Sequence, residues 1–193
     1  MRKDVSFRSN GRLLLGHLYL PDQLAAGERL PGVVVVGPAS STKGQAPAVY
    51  SQRLSELGYA AIAFDHTSYG ESEGTPRTDE DPFTKIEDIK SAATFLSHCR
   101  EVDAARIAAV GVCAGGGYAP AAAVADRRIK AVATVSGLPD LRATVMAAGD
   151  WLAIMAAAQD ARESYEATGR ATYVPFLADG QLARGGRTAR SST

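Results

Sequence analysis

Histidine is scarce in this chain of 193 residues: His17, His66 and His98 are the only three, and none follows position 98. Cysteine is scarcer, with Cys99 and Cys113 alone. Two thiols cannot make a disulfide framework or a four-ligand zinc site, so each is read singly. An excess of one charge is also missing. The 21 Lys and Arg balance the 21 Asp and Glu, and no basic face is offered to a phosphate backbone or an anionic lipid. Nucleic-acid and membrane partners are therefore not expected. No apolar run approaches the roughly 20 residues that span a bilayer. The opening Met1-Arg2-Lys3-Asp4 lacks the apolar core of a secretory signal, so a cytoplasmic location is expected.

What is present is the composition of an ordinary globular domain, 46% hydrophobic and 22% charged. Val5 to Arg8 and Arg12 to Leu20 flank Ser9-Asn10-Gly11, and Asn-Gly between β-rich runs predicts a hairpin. Val33 to Val36, Tyr59 to Phe64, Ile107 to Val112 and Lys130 to Val135 lack alternation, as strands buried on both faces do. Helices are expected between them. Tyr50, Leu54 and Leu57 share one helical face ending at Gly58. Asp81-Pro82 supplies a cap and first-turn proline for a helix whose Ile86, Ile89, Ala93 and Leu96 align. An alanine-rich helix runs to about Ala125. Strands alternating with such helices predict an α/β fold: an antiparallel N-terminal hairpin, then parallel strands with helices on both faces.

Chemistry points to Gly111-Val112-Cys113-Ala114-Gly115, at a strand-to-helix junction with the spacing of a nucleophile elbow. Such a turn needs small residues two before and two after the nucleophile, so that strand and helix can approach. Cys113 is then the candidate nucleophile at a helix N-terminus, where the dipole favours a thiolate. The Ala114 N–H would supply half an oxyanion hole. The other half falls to Ala39 or Ser40 in Gly37-Pro38-Ala39-Ser40-Ser41, because Pro38 has no N–H. The competing reading makes Cys113 a small buried apolar residue, with glycines that only permit close packing. Gly111 to Gly117 fails the dinucleotide fingerprint and Gly37 to Gly44 fails the Walker pattern, so no cofactor is expected.

Taken together, V-V-V-V-G-P-A-S-S-T-K-G (Val33 to Gly44), A-I-A-F-D-H-T-S-Y-G-E-S-E-G (Ala61 to Gly74) and A-A-V-G-V-C-A-G-G-G-Y (Ala108 to Tyr118) resemble the α/β-hydrolase superfamily. The resemblance is to its dienelactone-hydrolase-like branch, and it extends over about residues 5 to 140. It implies hydrolysis of an ester, lactone or thioester, with a small acyl compound as substrate, and it includes acyl-transferring relatives. In that superfamily an acid and then a histidine follow the nucleophile. Here no histidine follows Cys113, and the last two strands of such enzymes find no counterpart. The expected layout is the N-terminal part of a hydrolase core over residues 1–137, a lid-like helical segment over 138–180 and a disordered tail over 181–193.

No other residue replaces the base in sequence terms. His66, beside Asp65, reads as a loop anchor, two strand spacings (about 10 Å) from the nucleophile strand. His17 and His98 read as structural or solvated, and Asp140 as a turn or capping residue. Asp65 and Ser72 are expected to fix their loop, and Tyr118 and Trp151 to pack in the core or wall a pocket. Three functions remain open: a hydrolase impaired by the absent histidine, a non-catalytic binding module, and an acyltransferase. A parallel sheet without its last strands exposes an apolar edge. Self-association or poor solubility is therefore expected, and a monodisperse monomer with a cooperative melt in sedimentation and thermal scans contradicts it.

Overall fold

The computed structural model describes residues 1–140, 142–143, 146 and 151–173. The chain divides into two compact units, Met1–Ala148 and Gly149–Thr193. The first holds six strands: β1 (Arg2–Ser9), β2 (Arg12–Tyr19), β3 (Leu30–Val36), β4 (Ala60–Phe64), β5 (Val102–Val112) and β6 (Ile129–Val135). The helices described in full in this unit are α1 (Ala46–Glu56), α2 (Pro82–His98) and α3 (Gly115–Ala125). In the second unit α4 spans Trp151–Thr168. The tail expected over 181–193, and much of the segment before Trp151, lie outside the described residues.

The sheet runs in the order β1-β2-β4-β3-β5-β6. β1, β2 and β4 pair antiparallel, and β4, β3, β5 and β6 run parallel, which is the α/β architecture read from the sequence. The hairpin closes on Ser9 opposite Arg12, with positive φ at Asn10 (46°) and Gly11 (81°). Two left-handed central residues match the right-handed twist of the strands they join.

The two inner strands read as continuous apolar runs because both faces are covered. Val34 and Val36 of β3 face one core with Ile62 of β4, Ile107 of β5 and the α2 residues Ile89, Ala93 and Leu96. Val33, Val35 and Ala61 face the other, under Tyr50 and Leu54 of α1. Each fully buried Ile or Leu of this kind contributes about 1.5–3 kcal/mol. The expected face of α1 is one residue too long. Leu57 caps the helix, is 74% exposed, and leads into Gly58 at φ 88°, so the chain leaves the helix before Leu57 can reach the core. β6 pairs with β5 alone among the described residues; it is an edge whose positions after Ile129 are exposed.

α2 starts as its sequence predicts: the Asp81 carboxylate accepts the N–H groups of Phe83 and Thr84, and Pro82 occupies the first turn. α3 starts against the sheet with no space left between backbones. A Cβ on Gly115 would lie 2.4 Å from the Val36 carbonyl oxygen and 2.7 Å from that of Gly37, and one on Gly111 would lie 2.1 Å from the Gly115 oxygen. Both obstacles are backbone, which cannot swing aside. Gly115→Ala is accordingly expected to lower stability by at least about 1–3 kcal/mol, read as a lower denaturant midpoint at unchanged slope. An unchanged midpoint would show that α3 has freedom to withdraw from the sheet.

Candidate active site

The end of β5 turns into α3 through Cys113, which adopts φ 55°, a left-handed conformation costly for any residue with a Cβ. Surrounding hydrogen bonds hold it there. The Cys113 N–H donates to the Val135 carbonyl at 3.0 Å, and the Cys113 carbonyl accepts from Gly116 N–H at 2.9 Å and Leu138 N–H at 3.0 Å. The thiol itself is half-buried and free. Strain that the neighbours over-determine in this way is characteristic of functional turns. Beside it, Gly115 N–H donates to the Gly37 carbonyl at 3.1 Å and ties the start of α3 to the loop after β3. Among the described residues no acceptor takes the N–H of Ala114 or of Ala39.

The two candidates from that loop are thereby separated. Ser40 N–H is donated to Glu80 Oε2 at 3.0 Å, so Ala39 is the one with its N–H unspent. Glu80 was not singled out from the sequence, and it stands at the centre of this region. Its Oε2 also accepts the Tyr69 hydroxyl at 2.6 Å, and its Oε1 accepts Lys85 Nζ at 2.6 Å and the Tyr118 hydroxyl at 3.1 Å. Lys85 is buried, with Nζ 4.3 Å from the Tyr69 ring centroid and 5.7 Å from that of Tyr118. Burial pushes the Glu80 carboxyl up, but Lys85, Tyr69 and the Ser40 amide outweigh it and hold the pKa below the usual range. Burial pulls Lys85 below the usual lysine value, against the opposing pull of Glu80. Burial and Glu80 both raise Tyr69 and Tyr118, which therefore stay protonated and donate. The available signal was a lysine, Lys85, four residues before Ile89 on the buried face of α2.

The remaining polar residues behave as anchors. His66 is buried, its Nδ1 3.2 Å from Asp88 Oδ2, and Asp88 also accepts the Thr67 N–H at 2.8 Å and its hydroxyl at 3.0 Å. β3 lies between its strand and β5, so His66 stays with its own loop. Asp65 accepts from Lys43 N at 2.7 Å, Lys43 Nζ at 2.6 Å and Glu71 N at 3.0 Å, while Ser72 donates to its carbonyl at 2.6 Å. His17 Nε2 lies 3.5 Å from Asp4, and Asp140 accepts the Ala143 N–H at 2.9 Å as a cap would. Trp151 opens α4 in the second unit.

An apolar cavity of about 200 Å³ adjoins the elbow, lined by Pro82, Ile86, Ala114, Tyr118, Ala121 and Leu138 among others. Three larger clefts contain no elbow residue: two, about 400 and 390 Å³, lie around Met1 and Leu20, and one of about 310 Å³ lies by Lys43 and Asp65. Size favours them, but it is the smaller one that Ala114, next to Cys113, lines.

Comparisons with known proteins bear on the family and the fold. The model of the dienelactone hydrolase family matches residues 15–162. The uncharacterized protein YcjY of Escherichia coli (strain K12) is 37% identical over 141 residues, 72% of this chain and 46% of its own. The crystal structure of hypothetical protein PA2218 from Pseudomonas aeruginosa has a TM-score of 0.84 at 31% identity, covering 94% of this chain and 59% of that one. The α/β hydrolase GrgF from Penicillium sp. sh18 has a TM-score of 0.79 at 26% identity, covering 95% and 64%. The polyketide transferase grgF of Penicillium sp. is 29% identical over 140 residues, 72% of this chain and 46% of its own. The chain thus spans less than half the length of both curated relatives.

The His66 anchor carries a pH dependence. Burial lowers its pKa from the ordinary 6.5, against the Asp88 hydrogen bond that raises it. The unfolded chain then binds a proton that the folded one refuses, so this contribution to stability is present above pH 6.5 and is lost as pH falls toward the lowered folded value. The melting temperature should fall through that window. His66→Asn should flatten this part of the curve, and an identical slope in the variant would assign it to another group.

Proposed function

Because the chain belongs to the dienelactone hydrolase family, we propose that Cys113 performs acyl chemistry on an ester, lactone or thioester. The observation that carries this reading is the left-handed Cys113, set between two glycines at the start of α3, with the neighbouring Ala114 N–H unspent. The thiolate sulfur attacks the carbonyl carbon, and the C=O electron pair moves onto oxygen. Ala114 N–H and Ala39 N–H receive that oxyanion. It collapses with cleavage of the bond to the leaving alkoxide or thiolate, which takes up a proton from solvent, and the acyl group remains on sulfur as a thioester. Water then adds to the thioester carbonyl, the C–S bond breaks, the acyl group leaves as the carboxylic acid, and the sulfur takes a proton to return the thiol.

The cavity beside Ala114 supports an apolar acyl substituent. Its residues carry no charge, and its polar hydroxyl, that of Tyr118, is given to Glu80. At about 200 Å³ it is somewhat larger than the ~150 Å³ engineered cavity that admits benzene. Within this chain no histidine follows Cys113 and His66 is committed to Asp88. General-base catalysis is worth about 10²–10⁴-fold, so release of the acyl group is the slow step. The likeness to a polyketide transferase supports a second reading, in which an alcohol or amine takes the acyl group in place of water.

With p-nitrophenyl acetate, the protein should release one equivalent of nitrophenol in a burst and gain one acetyl mass on Cys113. Steady turnover should follow at least about 10²-fold more slowly than the burst. Cys113→Ala should abolish both. No mass gain on Cys113 would overturn the reading, and an added amine or alcohol that changes the product ratio would favour transfer.

A further inference from the structure

We propose that Glu80 is a positioning residue for the acyl chemistry at Cys113, locking the turn that presents Ala39 to the nucleophile. The proposal rests on the reading of Cys113 as the nucleophile. Ser41 N–H donates to the Pro38 carbonyl at 3.2 Å, so Pro38 to Ser41 form a β-turn with Ala39 and Ser40 at its centre. Ser40 has φ 60°, whereas Ala39 is not among the residues of positive φ. That combination is the type II turn, whose third position ordinarily takes glycine or asparagine. Serine there favours the type I turn instead, and the two differ by rotation of the central peptide, here the one joining Ala39 to Ser40.

The N–H of that same peptide is the one Glu80 accepts. The carboxylate therefore supplies the force that keeps the peptide in the orientation the sequence alone would not choose. The same carboxylate accepts the Tyr118 hydroxyl. Tyr118 stands one turn along α3 from Ala114, and its N–H donates to the Ala114 carbonyl at 3.3 Å. Both segments that offer an unspent N–H to the nucleophile are thus fastened to one side chain, the loop through Ser40 and the helix through Tyr118. Lys85, buried against the two tyrosine rings, supplies the countercharge for the partly buried Glu80 carboxylate.

The test compares two reactions of the same thiol. Acylation by p-nitrophenyl acetate builds an oxyanion; alkylation by iodoacetamide forms a thioether, expels iodide and builds none. Glu80→Ala should slow acylation by about 10²-fold, the scale of losing one oxyanion donor. Glu80→Gln, which keeps an acceptor for Ser40 in the same volume, should slow it less than Glu80→Ala. Alkylation of Cys113 should stay within about twofold of wild type in both. If wild type is never acylated, the nucleophile assignment fails. If wild type is acylated and both variants keep its rate, Glu80 has no positioning role and the nucleophile assignment stands. Parallel loss of acylation and alkylation would overturn positioning in favour of a collapsed site. Should Glu80→Ala fail to melt cooperatively, Tyr118→Phe decides, since it removes the tie to α3 and preserves shape: slowed acylation with unchanged alkylation supports positioning, and an unchanged acylation rate overturns it.

Discussion

The whole site depends on a backbone contact that leaves no space for a side chain. α3 begins where its first residue, Gly115, lies against the carbonyls of Val36 and Gly37, and Gly111 lies against Gly115 in turn. This contact accompanies a left-handed bend at Cys113, whose thiol is left half-buried at the junction of β5 and α3. Packing, not local preference, selects the conformation. A cysteine would ordinarily avoid positive φ, and here three backbone hydrogen bonds compensate.

Around that contact three carboxylates together hold the loops that follow β3 and β4. Asp65 gathers Lys43 and the Glu71 amide, Asp88 gathers His66 and Thr67, and Glu80 gathers Ser40, Tyr69, Lys85 and Tyr118. Hydrogen bonds to charged groups contribute about 1.5–3 kcal/mol each, and removing one partner of a buried ion pair costs about 3–5 kcal/mol. The loops are therefore as specified as the strands. Such order suits chemistry that needs donors in place before charge develops on a carbonyl oxygen.

Most of the fold was legible in the sequence, because its signals are local. Asn10-Gly11, the unbroken valines of β3, Asp81-Pro82 and the spacing of Ile89, Ala93 and Leu96 each state a structure within a few residues. The elbow was legible for the same reason. Glu80 was not, since its four partners come from positions 40, 69, 85 and 118, and nothing in local spacing announces that they converge. The choice between Ala39 and Ser40 was hidden with it. Leu57 misled because periodicity continues on paper past the point where Gly58 turns the chain.

The central claim is that the Cys113 sulfur and the Ala114 and Ala39 amides form one acyl-binding constellation. A crystal structure of the protein alkylated by a chloromethyl ketone bearing a small apolar group tests it most directly. The account predicts a thioether at Cys113 with the ketone oxygen about 2.7–3.1 Å from both amide nitrogens and the apolar group in the cavity beside Tyr118. An adduct whose oxygen faces solvent and meets neither amide would contradict it.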